Sequence, residues 1–330
     1  MRVFAKLRHI GLVPALFCLI AGCGHGGTGS GASSVAAAAS VAPQAASPRE
    51  QAPAPSETGG FDGAKAFGHV AKLVSFGPRR PDSDGIHHAQ QYIVGELKSY
   101  GCAVDQDDFH SQTPVGEVAM KNIVAKAPGA EQGIILLLTH YDTAPVKDFV
   151  GAEDSGSSSG VMLEVARILC GKKQANAVWI AFLDGEEAFV DWNQDEDHTY
   201  GSRELAARMA VSGELKRVKA VILADMIGQY NLEIPQETNS TAWLRDLVWK
   251  TAAQLGYQEV FTKRDQAIED DHIPFLHRGV PAVDLIDYDG FTQYWHTPQD
   301  TLDKVSPRSL AIVGHVILES VGELQAKFPH

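Results

Sequence analysis

AVWIAFLDGEEAFVDW, residues 177–192, runs from seven consecutive apolar residues straight into Asp184, Glu186 and Glu187. An apolar run of that length, closed by a turn residue, reads as a buried strand, and Gly185 marks where it stops. The turn delivers two adjacent carboxylates to the strand's carboxyl end. Adjacent carboxylates repel, so a rigid element that presents them side by side calls for something cationic to hold. The reading is a metal ligand at Glu187 beside a general acid/base at Glu186. The plain alternative is a solvated Glu-Glu pair, which is common in loops and helices.

Outward from this strand the pattern repeats. Residues 118–127, 133–139, 220–224 and 281–286 read as further strands. Helices are expected over 62–76, 86–100, 160–169, 202–211, 242–255 and 307–327, each with apolar residues on one face; Leu310, Val313, Ile317, Val321 and Leu324 mark the buried stripe of the last. Strands apolar on both faces, alternating with amphipathic helices, define an α/β fold whose central sheet is mainly parallel and covered by helices on both sides. Such folds gather their functional groups past the carboxyl ends of the strands. His140 and Asp142 follow one strand, Glu186 and Glu187 a second, and Asp225 closes a third. No internal repeat and no second folded domain is evident.

The 330 residues carry a formal net charge of -13, with no basic patch of the kind nucleic acid demands. Arg2, Lys6 and Arg8, the apolar run over 10–20 and small residues before Cys23 form an export signal that resembles a bacterial lipobox, with Cys23 as the lipidated first residue. Plain signal cleavage with Cys23 incidental is the alternative; the run is too short to span a membrane. Residues 24–60, mostly Ala, Ser, Gly, Pro and Gln, read as a flexible tether, which places the start of the folded domain, 61–330, near Phe61. The expected address is the periplasm, with a lipid anchor and a monomeric chain. Cys102 and Cys170 are the only cysteines left for that domain; they read as core thiols, with one disulfide between them left open.

Asp154 lies in a loop before the 160–169 helix, where an Asp is often a cap, and His296 lies in a loop beside Pro298, where a His is often at the surface. As a set with Glu187, however, they make one Asp, one Glu and one His from three separate loops, with no Cys. That mix suits a catalytic zinc with three protein ligands and an open fourth position.

The motifs His140-Tyr-Asp142, Gly151-Ala-Glu-Asp-Ser155, Asp184-Gly-Glu-Glu-Ala-Phe189 and Tyr200-Gly-Ser-Arg203 resemble the zinc aminopeptidase superfamily. Ala224-Asp-Met-Ile-Gly228, Asp270-Asp-His-Ile-Pro-Phe-Leu276, Arg278-Gly-Val-Pro281 and Trp295-His-Thr297 look most like its glutaminyl-peptide cyclotransferases. The resemblance covers roughly 62–325. It implies one zinc on Asp154, Glu187 and His296, Glu186 as general acid/base with Asp225 and Asp270 bonded in support, and a pocket lined by Trp192, Phe291 and Trp295. Core packing is the alternative for those aromatics. The chain departs from the animal members at Thr139 and Ser159, where those carry a disulfide beside the site.

The implied reaction converts the N-terminal Gln of a peptide to pyroglutamate with loss of ammonia. A two-zinc aminopeptidase is the rival, because His140 and Asp225 complete its ligand types. A binding module that has lost its chemistry is a second rival, disfavoured because Glu186 and every ligand type are present. Asn239-Ser-Thr241 matches a glycosylation sequon, which the bacterial-type signal argues against.

Overall fold

The computed structural model describes residues 51–194 and 196–328, which belong to one compact unit, Ala46–His330. The expected export signal, Cys23 and most of the tether lie outside the described residues. Order begins earlier than the composition suggests: Pro55–Glu57 form a 3-10 turn, and the Thr58 hydroxyl donates to the Phe61 carbonyl at 2.6 Å. The tether's expected end at residue 60 is corrected accordingly. Thr58 is buried because that hydroxyl is satisfied locally.

The elements in chain order are α1 (Gly63–Val74), α2 (Asp84–Ser99), β1 (Ala103–Thr113), β2 (Gly116–Ala127), β3 (Gly129–His140), α3 (Ser158–Cys170), β4 (Gln174–Leu183) and α4 (Tyr200–Ser212). There follow β5 (Val218–Asp225), β6 (Ile234–Glu237), α5 (Ala242–Gln254), β7 (Phe261–Gln266), α6 (Ile273–Leu276), β8 (Ala282–Ile286), α7 (Tyr288–Phe291) and α8 (Pro307–Lys327). Local chemistry starts the helices, α1 one residue after and α2 two residues before the expected starts: the Asp62 carboxylate accepts from the Ala64 and Lys65 amides, and Ser83 caps α2 through the Ile86 amide.

The main sheet has the order β1-β2-β4-β3-β5-β8, antiparallel across β1-β2-β4 and parallel across β4-β3-β5-β8. The sheet is therefore mixed, with its parallel half carrying the site. Strand β1 was invisible to the apolar pattern because it is a polar edge, with only Phe109 buried among its eleven residues. The small parallel pair β6-β7 was missed too: β7 is mostly exposed, and β6 is buried but only four residues long.

Two apolar layers enclose the sheet. Ile135, Leu137, Ile180 and Ile222 point to the side covered by α1, α3 and α8, whereas Leu136, Leu138, Trp179 and Leu223 point to the side covered by α4 and α6. Alternate residues of one strand thus enter different layers, which is why these strands read as continuous apolar runs. Cys102 and Cys170 form a disulfide with a sequence separation of 68, which resolves the open choice in favour of the bond and against free core thiols. It ties the start of β1 to the end of α3.

Candidate active site

The register of the three central strands builds the site. His140 at the end of β3 pairs with Leu183 at the end of β4, and Leu138 pairs with Leu223, two residues before Asp225. One row across the sheet edge therefore holds His140, Asp225 and the turn after Leu183. Gly185 in that turn has φ +70, and a Cβ there would stand 2.5 Å from the Met120 sulfur. Only a residue without a side chain turns so tightly against that neighbour.

Asp142 sets the two glutamates. Its Oδ1 accepts the Glu186 amide at 3.2 Å and its Oδ2 the Glu187 amide at 3.3 Å, while Nδ1 of His140 lies 3.3 Å from Oδ1. The Glu187 carboxylate accepts the Ala144 amide at 3.1 Å. On the facing loop, Asp300 accepts the Glu153 and Asp154 amides at 2.8 and 3.1 Å. Arg79, wholly buried, donates to the Tyr141, Val150 and Gly151 carbonyls at 2.9, 2.7 and 3.0 Å and so clamps the same loops. The sequence reading missed Arg79 and Asp300 and gave Asp142 no role, since an isolated charged loop residue reads as surface. At Thr139 and Ser159 the departure from the animal pattern is filled by hydroxyls, both donating to the His140 carbonyl at 3.1 and 2.7 Å.

Asp154, Glu187 and His296 come together. Nε2 of His296 lies 3.0 Å from Glu187 Oε2 and 3.4 Å from Asp154 Oδ2, and the three ligand atoms all lie within 4.8 Å of one another. Ligands about 2.0–2.2 Å from a tetrahedral zinc are separated by roughly 3.3–3.6 Å, so the set fits a cation of that size. A second set shares Asp154: Nε2 of His140 lies 3.2 Å from its Oδ1 and 3.0 Å from Asp225 Oδ1.

The electrostatics point the same way. Burial and then the charge of Asp154 push Glu187 up to about 7. Burial, reinforced by Glu187, Asp270 and Asp271 and opposed by His140, drives Glu186 well above the carboxylate range. Asp270 and Asp225 are raised chiefly by burial, with Asp225 itself adding to the effect on Asp270. Burial disfavours a charged His296, but Glu187 and Asp154 outweigh it and push its pKa up to about 10. So many buried acids around so few cationic groups are the environment a bound metal cation would neutralise.

Asp154, Glu186, Glu187, Asp225, Asp270 and His296 line a cavity of about 260 Å³. Trp192 and Trp295 form part of its wall, together with Tyr288, Met226 and Ile286. Trp295 stacks on His296 at 3.9 Å and meets Tyr288 edge-on at 5.0 Å. Phe291, expected in the wall, is instead buried against Met226 and Ile286 and does not line the cavity. Its place in the short α7 turns the ring inward, and Tyr288 one helical turn earlier is the residue that lines the wall.

Residues 122–321 match the model of Peptidase family M28. A crystal structure of an Acidobacteriales bacterium glutaminyl cyclase superposes with a TM-score of 0.77 at 37% identity, covering 81% of this chain and 96% of that one. The glutaminyl-peptide cyclotransferase of Gloydius blomhoffii is 32% identical over 73% of this chain and 76% of its own. A Zn-dependent exopeptidase from Parabacteroides distasonis superposes with a TM-score of 0.74 at 28% identity, covering 79% and 98%. The chain therefore belongs to Peptidase family M28 and, within it, to the glutaminyl-peptide cyclotransferases.

Proposed function

We propose that this protein cyclises the N-terminal glutamine of peptides to pyroglutamate, releasing ammonia. The observation that carries the reading is the position of Glu186: a buried carboxyl group in the cavity wall, next in sequence to a metal-ligand residue and faced by Asp225 and Asp270. Asp154, Glu187 and His296 are the residues that would hold one zinc ion. Bound there, zinc supplies Lewis-acid polarisation of the substrate's side-chain amide.

Glu186 then has one task on each side of the reaction. It takes a proton from the α-amino group, whose pKa is about 7.7 to 8, and returns it to the departing amide nitrogen. A carboxyl group raised by burial is matched to that exchange far better than an ordinary one. Asp225 and Asp270 support it, because close buried acids cannot all ionise and so share protons. Trp192 and Trp295 enclose a space suited to a short side chain and keep water from competing for it.

A second reading, a two-zinc aminopeptidase, is favoured by one observation: the His140, Asp154 and Asp225 donors also converge. The deciding experiment incubates a peptide beginning with Gln, with and without chelator, and follows ammonia and peptide mass. Loss of one ammonia, abolished by chelation, supports the cyclase; release of a free N-terminal residue supports the peptidase and a second metal. Export to the periplasm and lipidation at Cys23 belong to this proposal on sequence grounds. Among the described residues no helix is long and apolar enough to cross a membrane.

A further inference from the structure

Beside the catalytic cavity lies a second one, of about 400 Å³, and the two share Glu269 and Asp270. They are divided a second time by an aromatic pair: Trp192 lines the first, His198 the second, and their rings stack at 4.3 Å, nearly parallel. For a peptide whose first residue fills the catalytic cavity, this is the space on the other side of the shared wall.

Arg203 and Arg278 line that second cavity, and both continue into the depression next to it, of about 430 Å³. Arg203 is half-buried and Arg278 exposed, and the hydrogen-bond and ring partners of both are uncharged. Arg203 donates to the Glu196 carbonyl at 2.8 Å and lies 4.7 Å from the centre of the Tyr200 ring, while Arg278 donates to the Pro274 carbonyl at 3.0 Å. Among the described residues, no ion pair within 4.0 Å uses either side chain. Glu196 and Glu204 line the depression as well, yet among the described residues neither pairs with an arginine within 4.0 Å, which in a chain of net charge -13 stands out. A guanidinium offers the paired donors that a carboxylate accepts.

We propose that this cavity is a subsite for a carboxylate of the substrate, downstream of the N-terminal glutamine. It rests on the cyclase reading, whose substrate it specifies. The exposed Glu269 on the shared partition sets the register, because it repels an acid placed directly after the glutamine. With about 3.3 Å gained per extended residue, the proposal places the acid about two to three residues beyond the glutamine, past Glu269. The carboxylate can be a side chain or the free end of a short peptide.

The test compares Gln-Ala-Xaa-Ala amides with Xaa as Glu, Gln or Lys, a second set with Glu moved to the position after the glutamine, and Gln-Ala-Ala as free acid and as amide. We expect kcat/KM for Glu over Lys to differ by about tenfold at low salt and to narrow as salt rises. The free acid over the amide reports the terminal carboxylate as the source. In Arg278→Glu the Glu-over-Lys ratio inverts, and in Arg203→Ala it falls toward one; a ratio within each protein cancels any loss of active enzyme. Cyclisation of every peptide with ratios near one, or ratios unchanged in both variants, overturns the subsite and leaves the cyclase reading standing. Failure to cyclise any of them overturns both.

Discussion

Replacing Asp142 by Asn tests whether one buried carboxylate holds the paired glutamates. Asp142 is fully buried and receives three donors, the Glu186 and Glu187 amides at 3.2 and 3.3 Å and the His140 ring at 3.3 Å. Asn keeps the shape but turns one oxygen into an NH2 group. With its oxygen toward Glu186 and His140, that NH2 faces the Glu187 amide; flipped, it faces the other two. Either way a buried N–H loses its acceptor, which costs about 1–3 kcal/mol, and the remaining bonds lose the charge that strengthened them. We expect a stability loss of roughly 2–4 kcal/mol by urea denaturation. Through the displaced Glu186 and Glu187, kcat/KM on a Gln peptide and zinc affinity should each fall about 10–100-fold. Asp142→Ala should be worse on every measure, because it leaves all three donors unmet. An Asp142→Asn enzyme with the kcat and zinc affinity of the parent would refute the reasoning.

Glu186→Gln should lower kcat by about 10²–10⁴ while zinc binding stays intact, measured by single-turnover ammonia release and metal content. Reducing the Cys102–Cys170 bond, or replacing both residues by Ser, opens a loop with a sequence separation of 68 and should cost about 4 kcal/mol in urea denaturation. An unchanged midpoint would show that the bond constrains little. Burial is the leading cause that pushes Glu187, Asp271 and Asp300 each up to about 7. Folding therefore favours their neutral forms, and the stability this contributes is present below the ordinary carboxylate range and is lost as pH rises through about 7. Melting temperatures of chelated protein should fall over that interval, and zinc should restore most at the alkaline end, where the carboxylates need a counter-charge.

Much of the fold was legible because burial on both faces leaves a strong mark. The run over 177–183 and its counterparts could hardly be other than inner strands, and β3, β4, β5 and β8 appear where the apolar runs lie. Strands β1 and β7 escaped because an edge strand that meets water on most of its length carries no such mark. The donors gathered at the sheet edge were likewise legible, since ligand-type residues followed three separate runs. Aromatic placement was less so: Phe291 and Tyr288 lie on one short turn, and only packing against Met226 and Ile286 decides which ring turns inward.

Taken alone, the chain's residues determined the inner strands, the sheet edge that gathers the polar groups, and the identity of the acids and histidines there. Those follow from local pattern, because hydrophobic periodicity and chain order are properties of neighbouring residues. The tertiary structure decided which groups touch: Asp142 beneath the glutamates, Arg79 and Asp300 clamping the Asp154 loop, the Cys102–Cys170 bond, and the arginine-lined cavity next to the catalytic one. These contacts join segments far apart in the chain. A hydrogen bond or ion pair forms only where two groups meet within about 3–4 Å, and no spacing along a sequence states that distance.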